Sequence, residues 1–203
     1  MQAGDKLSFG CYDWRVLDRQ NNAVLIIPEC IIGQRAYHDE FGAITWADCE
    51  LRKYLNGEFY EKFNKTDRAK IISVTNKNLD NHWYGSKGGE DTQDCIFLLS
   101  IEDAACKYFG DSSALLYNPG KNQKYWFQRK DKNNSRREAC LNGYGWWWWL
   151  RSPGRANNTA VYIWCNGNIG IQGNGTFKYS SNTIHPLTGD NSGGVRPALW
   201  LKL

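Results

Sequence analysis

"GWWWWLRSPG", Gly145 to Gly154, places four tryptophans in a row and closes on a tight polar corner. Neighbouring residues on a β-strand point to opposite faces. Trp146 and Trp148 therefore share one face, and Trp147 and Trp149 the other. Two readings are open. Either this is a central strand buried on both faces, or two of the rings sit where something outside the domain can meet them. The flanking segments have to decide between them.

Downstream, "TAVYIWCNGNIGIQGNGTF" (159–177) reads as strand, Asn-Gly turn, strand. A loop rich in Ser, Asn, Thr and Gly follows, then a last strand in "GGVRPALWLKL" (193–203). At the other end, "KLSFGCYDWRVLDRQNNAVLIIPECII" (6–32) reads as two strands joined at Asn21-Asn22. Phe9, Cys11 and Asp13 alternate against Tyr12, Trp14 and Val16. Val24 to Ile27 is continuously apolar and predicts a central strand.

Between these ends the pattern turns helical. "TWADCELRKYLNGEFYEKF" (45–63) offers Thr45 as N-cap, Leu51, Tyr54 and Leu55 on one face, and Asn56-Gly57 as a stop. A second short helix is predicted from Thr66-Asp67, carrying Ala69, Ile71 and Ile72. The polar, Gly-rich stretch 75–94 reads as a long loop and "CIFLLS" (95–100) as a buried strand. "SIEDAACKYFG" (100–110) reads as a short helix capped by Ser100 and ended by Gly110. From Ser112 to Asn142 the chain is irregular, polar and basic. Strands, then helices, then an antiparallel end predict an α+β domain over 1–203, with two short helices flanking a mainly antiparallel sheet.

Composition narrows the function classes. Hydrophobic residues at 41% and charged ones at 23% suit a globular domain with a real core. The net charge of +4 is weak, and the one basic cluster, Arg129, Lys130, Lys132, Arg136 and Arg137, reads as a solvated loop. No nucleic-acid partner is expected. No apolar run approaches the ~20 residues of a membrane span, and "MQAGDKLSFG" lacks the order of a secretion signal. These predict a cytoplasmic protein without membrane insertion. Seven cysteines, widely spread and without C-x-x-C, suit neither a disulfide scaffold nor a zinc site. They read as small buried thiols in a reducing compartment.

Reacting constellations are missing. G-x-S-x-G, H-E-x-x-H, a P-loop and a Ca²⁺ loop do not occur. Gly167, Gly170 and Gly173 follow a turn between strands, so a dinucleotide reading fails on context. His38 beside Asp39 and Glu40 is open to metal or acid–base chemistry, against a polar loop. "GGEDTQD" (88–94) is open to cation binding, against a solvated loop. No catalytic residue, metal or cofactor is assigned.

Five segments in order carry a resemblance: "YDWRVLD", "TWADCELRKYLNGEFYEKF", "NHWYGSKGGEDTQDCIFLLSIEDA", "WWLRSPG" and "GGVRPALWL". The chain resembles a family of uncharacterised bacterial and phage domains that end in a WWLRSPG…GVRPAL pair. That family looks like a branch of the C-type-lectin fold. Its members include the variable, ligand-binding proteins of diversity-generating retroelements, in which a reverse transcriptase scatters chosen codons while the scaffold stays fixed.

The resemblance implies a framework of Trp148 to Gly154, Ala160, Ile163, Gly167, Ile169 and Gly194 to Leu199. The residues between fall where the family varies: Arg155, Asn157, Asn158, Thr159, Tyr162, Trp164, Cys165, Asn166, Asn168, Gln172 and Asn174. Trp164 and Gln172 lie outside what an AAC codon randomised at its adenines can encode. Thr176 to Asp190 is longer than the family pattern. With Trp146 and Trp147 as bordering aromatic anchors, these residues (Cys165 apart) form the expected ligand-binding set within a variable region at 155–192. The implied partner is a protein or cell-surface ligand, with display on a surface or virion by a route other than a signal peptide. The sugar triplets of calcium-dependent lectins are absent. The alternatives are an enzyme of the formylglycine-generating type, which shares the fold class, and a catalytically inert scaffold module. Arg151 and Arg196 are expected to be structural, pairing with acids or carbonyls.

Overall fold

The computed structural model describes residues 1–119, 126, 130–177 and 192–203. Among these residues the strands are β1 (Lys6–Phe9), β2 (Tyr12–Gln20), β3 (Ala23–Pro28), β4 (Gly33–Arg35), β5 (Ile71–Ile72), β6 (Val74–Asn76), β7 (Thr92–Asp94), β8 (Cys140–Leu141), β9 (Tyr144–Gly145), β10 (Trp148–Pro153), β11 (Thr159–Ile163), β12 (Ile169–Gly175), β13 (Gly193–Val195) and β14 (Leu199–Lys202). One five-stranded sheet runs β1-β2-β3-β14-β5, and a second runs β12-β11-β10-β13-β4. Within these two sheets every strand pairing is antiparallel except β10 with β13. The fold is α+β with mainly antiparallel sheet.

The first sheet begins as the sequence predicts. Gln20 pairs with Ala23 across the Asn21-Asn22 turn, and Asn21 adopts the left-handed φ of 51° that such a turn requires. Val24 to Ile27 are fully buried because β3 is the central strand of its sheet. The segment before it differs from expectation. Phe9 and Tyr12 face each other across a reversal at Gly10-Cys11, so 6–20 is two strands rather than one, and the alternation through Cys11 ends there.

The middle of the chain shows side chains displacing regular backbone pairing. The helix α1 (Glu50–Tyr54) is capped by Cys49, not Thr45, and continues as a π-helical turn over Leu55–Phe59. Asn56-Gly57 is therefore not a stop. The Asn56 amide donates to the carbonyls of Arg52 and Ile96, and its oxygen accepts from the amides of Cys95 and Ile96. That is why "CIFLLS" is buried yet not a regular strand: Asn56, Arg151 and one isolated bridge to Ala198 take its polar groups. The second helix, α2 (Lys65–Arg68), ends early, and Ile71 and Ile72 form β5 instead. Stretch 75–94 is no plain loop, since β6 and β7 pair at its ends. A π-helical turn at Asp103–Lys107 stands where the helix over 100–110 is expected, and α3 (Ser113–Tyr117) and α4 (Asn134–Arg137) are helical segments inside the stretch read as irregular.

Ser100 does cap its helix. Its hydroxyl accepts from the Asp103 amide at 3.1 Å while the Asp103 carboxylate accepts from the Ser100 amide at 2.9 Å, a reciprocal box. The same carboxylate accepts from Arg151 at 2.9 Å and Lys107 at 3.0 Å. Burial works to raise the Asp103 pKa, but Arg151, the Ser100 amide and Lys107 outweigh it and hold it below the ordinary value. A carboxylate with a depressed folded pKa adds stability that is complete above its unfolded value, about 3.9, and lost as the pH falls through the folded one. Asp103→Asn should therefore flatten the fall in melting temperature below about pH 4 relative to the unsubstituted chain. Identical slopes for the two would refute this linkage.

Both sheets share one core, and the tryptophan run lies in the second sheet's middle. All six residues of β10 are buried, so the first of the two opening readings holds for this strand. The Trp148 indole donates to the Arg137 carbonyl at 3.1 Å and packs against Phe109. The Trp149 indole donates to the Arg35 carbonyl at 3.0 Å and packs against Tyr37. Arg196 is structural as expected: it donates to the carbonyls of Pro28 and Glu29 and lies 5.2 Å from the Trp148 ring centroid. Arg151 donates to the Leu98 carbonyl as well as to Asp103. Of the seven cysteines only Cys49 is fully buried; Cys11 and Cys30 are exposed and the other four lie between. Among the described residues no helix is long and apolar enough to cross a membrane.

Candidate functional site

The β11–β12 hairpin sorts its residues by face, with a shift of register between Ala160 and Tyr162. Ala160, Val161, Ile163, Ile169 and Ile171 are buried, while Tyr162, Trp164, Asn166, Asn168, Gln172 and Asn174 keep surface. Tyr162, Trp164, Asn166 and Asn168, together with Gly170, line a hollow of about 400 Å³. Every one of those side chains is uncharged, so the hollow offers aromatic faces and amides rather than a field.

Local chemistry shapes it. The Tyr162 ring lies so close over Gly170 that any Cβ there would overlap it. Gln172 donates to the Tyr162 hydroxyl at 3.2 Å, and burial holds that phenol above its ordinary pKa, keeping it protonated. Trp164 is 39% exposed and meets Tyr162 edge-on at 6.1 Å. At the turn the Asn166 side chain accepts from the Asn168 amide at 3.1 Å. The side-chain oxygens of Asn168 and Gln172 are buried without a hydrogen-bond partner.

The turn itself is clamped from below. Gly167 has φ of +75° and sits against the Asn134 carbonyl, leaving no room for a Cβ. Its own carbonyl accepts from Arg137 Nε at 3.0 Å. Arg137 is fully buried, pairs with Asp131 and donates to Asn134 and Ala104. The basic cluster is thus not simply a solvated loop. Arg136 faces solvent and Arg137 is a buried strut, while Arg129 lies outside the described residues.

The remaining expected site residues divide. Arg155 and Asn157 are exposed, with Asn158, Thr159 and Asn174 half-buried, at the far end of the hairpin where Thr159 pairs with Gly175. Five residues of strand separate the two ends by on the order of 14 Å, so one small ligand does not touch both. Thr159 belongs to the scaffold: its hydroxyl donates to the Ala156 carbonyl and accepts from the Ala156 amide. Trp147 is a correction as well. It is 4% exposed, packed edge-on against Trp149 at 4.7 Å and against Tyr162 at 5.6 Å. It is a floor beneath Tyr162 rather than an anchor. Trp146 is half-buried, with its indole nitrogen unpartnered. Within the 155–192 region, 178–191 lies outside the described residues.

Sequence reasoning missed Gly170, Arg137 and Asn81. The last reaches from the 75–94 stretch to donate to the carbonyls of Pro153 and Ile171 under the hairpin. The glycine spacing at 167 and 170 was the available signal, and it reports close packing rather than phosphate. The "GGEDTQD" cation reading also gives way to structure. Asp94 is buried, and its carboxylate accepts from Trp46, Arg52, Asn76 and Thr92. Among the described residues no group of three or more His, Cys, Asp and Glu gathers to hold a metal ion.

A family model described as a domain of unknown function, DUF6273, matches residues 21–203. Comparison with curated proteins and with solved structures finds no match.

Proposed function

The chain belongs to the DUF6273 family, and we propose that it is a ligand-binding domain of C-type-lectin-like fold without catalysis. In this reading it displays a replaceable polar and aromatic face on a fixed scaffold, as the variable proteins of diversity-generating retroelements do, and its partner is a protein or cell-surface ligand. One observation carries the reading. The residues expected to vary on β11–β12 and its turn keep surface, and four of them, Tyr162, Trp164, Asn166 and Asn168, line the uncharged hollow, whereas the expected framework residues of the same strands are buried. Short amides beside rigid aromatic rings bind adaptably at low entropic cost. Trp164, Asn166 and Asn168 make the contact in this proposal, with Tyr162 as its aromatic base.

The test is a displayed library randomised at Arg155, Asn157, Trp164, Asn166 and Asn168 and selected on a panel of immobilised soluble proteins. Most members should fold, and each target should enrich its own sequence set. Collapse of folding across the library, or no target-dependent enrichment, would sink the proposal. A near-repeat of the C-terminal coding sequence beside a reverse-transcriptase gene would separate the retroelement reading from a static binding module.

A further inference from the structure

We propose that Cys30 and Cys140 form a modification site, a thiol pair placed to close into an intramolecular disulfide by exchange with a low-molecular-weight disulfide such as oxidised glutathione. The pair is independent of the ligand-binding reading. Cys30 follows β3 and is exposed; Cys140 opens β8 and is half-buried. Their sulfurs lie 2.6 Å apart, in direct contact. No other cysteine pair among the described residues is in such contact.

The backbone holds them there. The Ile31 amide donates to the Cys140 carbonyl at 2.8 Å, joining the two segments beside the sulfurs. Just upstream, Glu29 is gripped by Arg15 through two 2.7 Å bonds, and Arg196 donates to the carbonyls of Pro28 and Glu29. The Cys140 thiol and burial hold the Cys30 pKa above its ordinary value, and the buried charge of Arg196 only partly offsets them, so exchange should quicken as the pH rises and the thiolate forms. Cys49, in contrast, is buried away from solvent, with its thiol pushed up to about 12 mainly by burial.

The chemistry balances by exchange. The more exposed Cys30 loses its proton, and its thiolate attacks one sulfur of the external disulfide, expelling a thiolate. Cys140, deprotonated in turn, attacks Cys30 Sγ in the mixed disulfide and expels the second thiolate. Two protein thiols are oxidised and one external disulfide is reduced to two thiols. The bond ties the end of β3 to the β8–β9 ribbon. Gly145 in that ribbon backs onto Cys165, in the turn that rims the hollow. Oxidation therefore fastens the ribbon that leads into the tryptophan strand.

The experiment treats the native full chain with oxidised glutathione, removes the reagent, and counts thiols after denaturation without reduction. The unsubstituted chain should lose the Cys30 and Cys140 thiols without retaining glutathione on either, and peptide mapping should join the peptides holding them, with the exposed Cys11 followed separately as its glutathione adduct. Cys140→Ser should instead retain glutathione on Cys30. The cross-link spans 110 residues of sequence, so the oxidised chain should melt higher by on the order of 10 °C. Free Cys30 and Cys140 thiols after treatment, a bridge through other cysteines, or a bridged Cys30 in Cys140→Ser would each overturn the assignment.

Discussion

Arg137→Ala is expected to destabilise the fold by about 3–5 kcal/mol, the cost of removing one partner from a buried ion pair. For a domain of this length that lowers the melting temperature by roughly 6–20 °C. The guanidinium is fully buried and serves four acceptors at once: Asp131, the Asn134 side chain, and the carbonyls of Ala104 and Gly167. Alanine leaves the Asp131 carboxylate unpaired, with only 2% of its side chain exposed. Arg137→Lys should recover little, because an ammonium cannot serve a forked set of acceptors. Arg137→Met combined with Asp131→Asn should recover more, because no buried charge is left alone. The effect should also be felt at the hollow: amide hydrogen exchange at 165–168 should accelerate beyond that of β3. A melting temperature within a degree or two of the unsubstituted value would return Arg137 to the solvated surface.

Ile163→Ala and Ile169→Ala should each cost about 2–5 kcal/mol as core cavities. They face each other across β11 and β12 and are fully buried. Replacing Arg155, Asn157, Trp164 and Asn166, exposed in the turns that flank β11, together by Ser should cost only about 1 kcal/mol, since exposed substitutions usually fall within about ±0.5 kcal/mol each and partly cancel. Tyr162 does not belong in that neutral set. Its ring fills the space over Gly170 and packs on Trp147, so Tyr162→Ala should fall between the two groups, at roughly 1–3 kcal/mol. Thermal melting of these four variants side by side decides the matter. If the four-fold variant unfolds with the isoleucine ones, the polar residues are architecture, and a replaceable face on a rigid scaffold is wrong for this protein.

These contrasts follow how the fold is written in the chain. Where a signal is local, the reading survives. The Asn21-Asn22 reversal, the Ser100 cap and the strand–turn–strand order of 159–175 need only neighbours a few residues away. The helix expected from Thr45 misses its start and stop for the opposite reason. Asn56 is drawn inward by carbonyl and amide groups around Ile96, 40 residues away, and no local pattern reports that demand.

The sequence by itself determined the α+β class, the central place of β3, the tryptophan strand and the strand–turn–strand order of the C-terminal hairpin. Tertiary structure alone decided which faces were covered. Trp147 is a floor because Tyr162 lies over it, Arg137 is buried because Asp131 and Gly167 close around it, and Cys30 meets Cys140 because a distant ribbon docks beside β3. The physical reason is range. Periodicity, caps and turns are energies between near neighbours, whereas burial of a polar or aromatic side chain depends on surfaces brought together from far along the chain.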